Sequence, residues 1–396
     1  MNYQRMAIEK EAPEEVGSEI RYNLSESAIS DQTLDSLGIN IPSSTIFTYT
    51  EHKGSHKIRS LIANAAKGGL TDDDILVTAG ASMLLFIIHS AMLNPKDHIT
   101  VARPNYAANL EIPRSIGCEI TFIDLDFESQ YQLDINRVAA AIRPGATKLI
   151  SVCSPNNPTG TVLSSSEIQS LASLARVNEC YLLVDETYAD LNYAFTSTDS
   201  GFVIGSAAKL GDHVISVCSM SKTYGVPGIR IGWLVTTNKV LQETFLAAKE
   251  LISISGSVVD ELIAEQILSR RTELLSKTIA DMTSRREHVA SWVDQESEFV
   301  DWVEPEAGVM CFIKVKKEPV GGLAAFYQRL LEDHGVYVGR GTWFEQDDNF
   351  FRLGYGWPTW EELDTGLKAI SKAFVVRLIL RLVALFPQRR LCFLFI

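Results

Sequence analysis

The chain has 396 residues, 46% of them hydrophobic and 21% charged, which suits a globular protein of two packed units and excludes an intrinsically disordered one. Its 36 Lys and Arg against 49 Asp and Glu leave a formal net charge of −13, which excludes non-specific nucleic-acid binding through a basic face. The six cysteines are scattered with no CxxC pair and no His/Cys cluster of zinc spacing, so reduced thiols and no metal site are expected.

Met1 to Val16 is charged and lacks an apolar centre, so it is not expected to be a secretory signal. From Asp74 to Thr237 short apolar runs alternate with helical patterns. The predicted strands are Ile75–Thr78, His98–Ala102, Glu119–Asp124, Lys148–Cys153, Tyr181–Val184, His213–Val217 and Arg230–Val235. Most are unbroken runs rich in Val and Ile, as strands buried on both faces are. Helices are predicted between them, among them Ser82–Leu93 and Ser165–Asn178. This alternation reads as a doubly wound α/β unit with a mostly parallel sheet. After Leu241 helical patterns run to about Glu296. Strands at Gly308–Val315 and Phe350–Gly354, with helices at Gly321–His334 and Thr359–Ala373, then read as a smaller α+β unit. The expected division is 1–48 as an N-terminal arm and part of the small domain, 49–255 as the large domain, 256–374 as the small domain, and 375–396 as an atypical apolar and basic tail. Arg377, Arg381, Arg389 and Arg390 break that tail too often for a spanning helix, and membrane contact is not expected of it.

Ligands of open parallel sheets bind at the carboxyl ends of the strands. Ile75–Thr78 leads into Ala79-Gly80-Ala81-Ser82 and a helix, where free backbone N–H groups suit a phosphate and Ser82 adds a hydroxyl. Ser82 alone reads equally as a plain N-cap. Tyr106, after Arg103-Pro104-Asn105, can stack on a flat ring or simply pack. Ser154-Pro155-Asn156-Asn157-Pro158-Thr159-Gly160 is a rigid turn that either presents an asparagine to an oxygen or is purely structural. Asp185 follows a buried strand, where a carboxylate needs a partner. A protonated pyridine nitrogen is such a partner, and Tyr188 could then reach the ring's phenolic oxygen; a helix cap is the other reading. In Ser219-Met220-Ser221-Lys222-Thr223-Tyr224-Gly225-Val226-Pro227-Gly228-Ile229-Arg230-Ile231-Gly232, a lysine follows a β-rich run among hydroxyls and glycines. Lysine forms Schiff bases with aldehydes when burial or nearby positive charge lowers its pKa. The serines and Arg230 could grip a phosphate. Taken alone, Lys222 would be a solvated surface lysine; with its surroundings it points to a pyridoxal-phosphate (PLP) site. Arg352, near the end of Phe350–Gly354, could grip a carboxylate with its guanidinium fork or form a surface ion pair.

With these residues in this order, the chain resembles fold-type I PLP enzymes of the class I and II aminotransferase superfamily from about Asn23 to Ala373. The strings that carry the resemblance are SxSKxxxxxGxRxG around Lys222 and NNPTG around Asn157. The resemblance implies a large domain with a mostly parallel seven-stranded sheet flanked by helices, plus a smaller α+β domain. It implies pyridoxal 5'-phosphate held as an aldimine on Lys222, which then shuttles the proton. Asp185 would pair with the pyridine nitrogen, and Asn157 and Tyr188 would bond the phenolic oxygen. Tyr106 would stack on the ring. Ala81 through its backbone, Ser82, Ser219 and Arg230 would hold the phosphate. Arg352, with Asn157, would bind the substrate carboxylate. Tyr49 matches a tyrosine that reaches the neighbouring subunit's phosphate, which implies a cytoplasmic homodimer with shared sites. The implied activity, in amino-acid metabolism, is ping-pong transfer of an amino group from an L-amino acid to a 2-oxo acid. A carbon–sulfur β-lyase, or a cyclase resembling aminocyclopropane-carboxylate synthase, is the alternative.

Three departures stand out. The family usually has Ser or Asn at Gly354, so the pocket wall beside Arg352 is expected to change. Asn109 stands where many relatives carry a second aromatic. No arginine occurs in Leu251 to Ser269, where dicarboxylate-specific relatives place a second clamp, which disfavours an aspartate-type donor. A PLP-sensing regulatory domain would need a DNA-binding module, and the residues before the first large-domain strand are not basic and show no recognition helix.

Overall fold

The computed structural model describes residues 1–66, 68–194 and 206–375. The expected tail lies outside the described residues beyond Val375. Its centre is a seven-stranded sheet of β1 (Ile75–Thr78), β2 (His98–Arg103), β3 (Glu119–Asp124), β4 (Thr147–Cys153), β5 (Tyr181–Asp185), β6 (Val214–Ser219) and β7 (Gly232–Val235). The spatial order is β1-β7-β6-β5-β4-β2-β3. All neighbours are parallel except β7, which runs antiparallel to both β1 and β6. The sheet is therefore mixed, flanked by helices such as Ala81–Met92 and Ser165–Val177. Leu182, Leu183 and Val184 of β5 and Ile215 and Val217 of β6 are fully buried, as central strands covered on both faces require.

Two strand ends differ from the sequence reading in ways that shape the site. β5 runs on to Asp185, because its backbone stays paired with Cys153 and Val217 on either side. The last strand starts at Gly232 rather than Arg230. Arg230 has a left-handed backbone, φ 47°, which turns the chain before pairing begins.

A second sheet of four antiparallel strands has the order Gly339–Arg340, Phe350–Gly354, Met310–Val315, Val300–Trp302. Phe326 and Phe374 stack at 4.8 Å in its core and are fully buried, each contributing about 1.5–3 kcal/mol by burial. Leu24 of the N-terminal arm belongs to this core, because Tyr22–Asn23 pairs with Val336–Tyr337. The helix Val258–Ser269 instead shares a core with the helix His56–Ala66 through Ile263, Ile267, Ile58 and Ile62. Among the described residues no helix is long and apolar enough to cross a membrane.

The arm explains Gly354. The Gly354 N–H donates to the Leu24 carbonyl at 2.8 Å, and a Cβ on Gly354 would overlap the Glu26 carbonyl oxygen. Gly354 does not line the cavity beside Arg352, so the expected change of pocket wall is not what the glycine provides. It lets the arm cross tightly over the strand. Gly354→Ala is expected to lower stability by about 1–3 kcal/mol through overpacking, measured as a shifted urea midpoint at unchanged slope.

Candidate active site

A cavity of about 340 Å³ opens where β1, β4, β5 and β6 end. Ala81, Ser82, Tyr106, Asn157, Asp185, Tyr188, Ser219, Lys222, Arg230 and Arg352 all line it. Tyr49 does not; its side chain is 75% exposed on the surface.

β5 delivers Asp185 into a buried position. One carboxylate oxygen accepts from the Thr187 hydroxyl at 2.6 Å and the Thr187 N–H at 3.1 Å. The other has only a long bond from the Asn109 amide at 3.4 Å. Burial raises the Asp185 pKa, and the Thr187 and Asn109 bonds oppose that shift. Among the described residues no cation pairs with this carboxylate. A donor on a positively charged ring nitrogen would satisfy it.

β6 ends in Ser219, whose hydroxyl caps the single turn Met220–Thr223 by accepting from the Ser221 N–H at 3.2 Å. That turn carries Lys222. Its ammonium has no hydrogen-bond or ion-pair partner among the described residues. Burial lowers its pKa first; Arg352 and Arg230 push the same way, and Glu26 and Glu9 oppose. The result is an amine closer to its neutral, nucleophilic form.

Arg230 and the loop after β1 form an anion cradle. The Arg230 guanidinium donates to the Ser221 hydroxyl at 3.3 Å and to the Pro227 carbonyl at 2.9 Å. Gly80, φ 83°, has no Cβ, and one there would overlap the Arg230 guanidinium. The helix Ala81–Met92 starts here with no side-chain cap, so its first N–H groups and the positive end of its dipole face the cradle. Ser82 and Tyr106 share a hydrogen bond of 3.1 Å.

Arg352 sits on the strand Phe350–Gly354, opposite Phe312, and is 3% exposed. It donates to Asn157 Oδ1 at 3.1 Å and to the Ser25 carbonyl at 2.6 Å, while its Nε is buried without a partner. Burial lowers its pKa, and no carboxylate lies within ion-pair reach among the described residues. A buried guanidinium so placed calls for a carboxylate. Tyr188 donates to the Ser27 carbonyl at 2.9 Å, and burial raises its pKa.

Sequence reasoning missed Thr187, Glu9, Glu14, Glu26 and Trp343, which also line the cavity, and the Asn109 contact to Asp185. Thr187, two residues past a strand-end Asp, was the one findable signal, since an Asx-type turn bonds that N–H. A larger groove of about 910 Å³ lies beyond Cys153, between Tyr131 and Trp302. Among the described residues its lining has no Lys, Arg or His to offer to a phosphate or a carboxylate.

A family model described as aminotransferase class I and II matches residues 22–370. The chain is 25% identical to an aspartate aminotransferase of Musicola paradisiaca, over 82% of this chain and 81% of that one. It is 25% identical to the capreomycidine synthase of Streptomyces vinaceus, over 81% and 79%. A crystal structure of a PLP-dependent aminotransferase from Streptococcus suis superposes with a TM-score of 0.83 at 27% identity, covering 94% of this chain and 98% of that one. Pyridoxal 5'-phosphate is the cofactor these matches indicate, and the cavity fits it. The group needs an amine for its aldehyde, a carboxylate for its ring nitrogen and a cationic cradle for its phosphate. Lys222, Asp185 and the Arg230 cradle meet those needs within one cavity. Arg230→Ala is expected to weaken cofactor binding about 10- to 100-fold, the loss of a charge-assisted hydrogen bond of about 1.5–3 kcal/mol. Fluorescence titration of the apoprotein with PLP reads this directly.

Proposed function

This chain belongs to the aminotransferase class I and II family, and from that premise we propose that it transfers the amino group of an L-amino acid to a 2-oxo acid in a ping-pong cycle. One observation carries the reading: a lysine amine, a buried guanidinium and a buried Asp185, none with an ion-pair partner among the described residues, line one cavity. That set complements an α-amino acid together with the cofactor.

Bound PLP supplies an aldehyde carbon and a ring that takes up the electron pair from the broken Cα–H bond. The protein does the rest. Ser219, Ser82, Arg230 and the Ala81 N–H would hold the phosphate, and Tyr106 would cover the ring. Asp185 would keep a proton on the ring nitrogen. Asn157 and Tyr188 would bond the phenolic oxygen, Tyr188 by turning toward it the hydroxyl proton that it donates to the Ser27 carbonyl at 2.9 Å. Arg352 fixes the substrate carboxylate, which fixes the direction of the Cα–H bond. The Lys222 amine, biased toward neutrality by burial, takes the proton from Cα and returns it at the neighbouring carbon.

We further propose a cytoplasmic homodimer in which Tyr49 enters the partner's site. The segment is shaped for outward contact. Arg59 anchors it by donating to the Gly54 carbonyl at 2.9 Å, while Ile46, Phe47 and Tyr49 stand 78%, 79% and 75% exposed. In this reading 49–255 is the unit that holds the cofactor, and 1–48 with 256–374 is the unit that carries Arg352. A cyclase or lyase outcome is the second reading, supported by the similarity to a capreomycidine synthase.

Lys222→Ala is expected to fold, to lose the borohydride-reducible link to PLP, and to turn over about 10²–10⁴-fold more slowly. Mass spectrometry after reduction checks the link; a retained adduct would sink the assignment. Release of a 2-oxo acid with the cofactor left in its amino form identifies a transaminase. Ammonia, or a cyclised amino acid, identifies the second reading.

A further inference from the structure

We propose that the substrate amino acid carries a cationic side chain, a guanidinium or an amine, and that Glu9 and Glu26 read it. The inference rests on the amino-acid reading of the site.

Three carboxylates from the N-terminal arm line the cavity: Glu9, Glu14 and Glu26. None has an ion-pair partner among the described residues. Arg5, close in sequence, donates instead to the Glu9 backbone carbonyl and the Glu15 carboxylate. The cavity's own cations are already committed by chemistry. Arg230 serves the phosphate, Lys222 the aldehyde, and Arg352 the substrate carboxylate. Asp185 is matched by the ring nitrogen. Glu9 and Glu14, both exposed at the rim, and the half-buried Glu26 are then left on the cavity lining with no counter-charge among the described residues.

Their position is fixed. Glu26 lies between Ser25, whose carbonyl accepts from Arg352, and Ser27, whose carbonyl accepts from Tyr188. It is half-buried, and its charge acts on both Lys222 and Arg352. The charge of Glu9 acts on Lys222 and Tyr106. The two short helices Ala7–Lys10 and Pro13–Val16 that carry Glu9 and Glu14 line the cavity and are clamped between them. The clamp is Glu11, whose carboxylate accepts from Trp343 Nε1 at 2.6 Å and whose carbonyl accepts from the Tyr337 hydroxyl at 2.7 Å.

The second observation that points to a ligand is Arg352, buried at 3% exposure with an unpartnered Nε and lining the same cavity. It marks where the α-carboxylate docks, and the arm's carboxylates line the rest of the same cavity. A dicarboxylate donor would bring a second negative charge to this acidic rim. A basic amino acid brings the missing positive one.

The test is a spectral titration of the holoenzyme with L-arginine, L-ornithine, L-lysine, L-norleucine and L-aspartate, repeated by calorimetry as a readout independent of turnover. The basic acids are expected to half-saturate at concentrations about 10- to 100-fold below norleucine, with aspartate weakest, as charge-assisted bonding predicts. Glu26→Gln and Glu9→Gln are each expected to cut the arginine-to-norleucine preference about tenfold, with Glu26→Asp recovering part of it. Equal half-saturation by arginine and norleucine, or a preference untouched by both Gln variants, overturns the inference and leaves the amino-acid reading standing. An intact cofactor band that responds to no amino acid overturns both.

Discussion

A guanidinium buried without a carboxylate sets the terms for the rest of this structure. Arg352 is held by an asparagine oxygen and a backbone carbonyl, neither of them charged. Removing a cation from water without an opposite charge costs several kcal/mol, so the surrounding framework must be stiff enough to hold it there. The stiffness comes from two sides. The strand Phe350–Gly354 is paired with Met310–Val315 over five residues and with Gly339–Arg340 on its other edge. The arm residues Leu24 to Ser27 are pinned against that strand, and the pinning needs the glycine at 354.

The large sheet solves the matching problem for the opposite sign. Asp185 is buried because β5 lies in the middle of the sheet, between β4 and β6. Its neighbour β6 ends at the same level and leads directly into the turn that carries Lys222. The antiparallel β7 then returns through Arg230 and brings a cation back to the same end. Parallel pairing therefore aligns the amine and the carboxylate, and one reversal supplies the phosphate cradle. Desolvation moves Lys222 toward a neutral base, whereas it raises the Asp185 pKa, so that carboxylate needs a cation beside it to stay ionised.

What could be read from the sequence followed from locality. Each of the seven strands is a short apolar run with its own end, and most of the candidate residues fall within a few positions of such an end. Asp185 and Lys222 could be found by the rule that ligands sit at carboxyl ends of parallel strands, and Arg230 by its spacing from Lys222, while their roles came from the family resemblance. Glu26 could not be found that way. It reaches the cavity because Tyr22–Asn23 pairs with Val336–Tyr337, a contact more than three hundred residues away along the chain. Glu9 depends on Glu11 meeting Trp343, a pairing just as distant. Gly354 misled for a related reason: its neighbour is the Glu26 backbone, not the cavity, and no pattern around residue 354 encodes that. Asn109 likewise acquires its meaning only from the folded proximity of Asp185.

This division of labour separates chemistry from selection. The groups suited to covalent and proton-transfer steps sit at the end of β5 and on the turn after β6, with Asp185 buried and Lys222 half-buried. Of the groups that meet the outer part of the cavity, Glu9 and Glu14 sit on two four-residue helices that bury no side chains of their own, and Glu26 sits on the pinned segment that follows. Changing a carboxylate on such an arm disturbs no core packing, whereas changing a residue at a central strand end disturbs the sheet. Selection among substrates can therefore shift by single charges on the arm while the sheet and its reacting groups stay as they are. The acidic character of this arm, facing a buried and unmatched Arg352, is the form that selection takes in this chain.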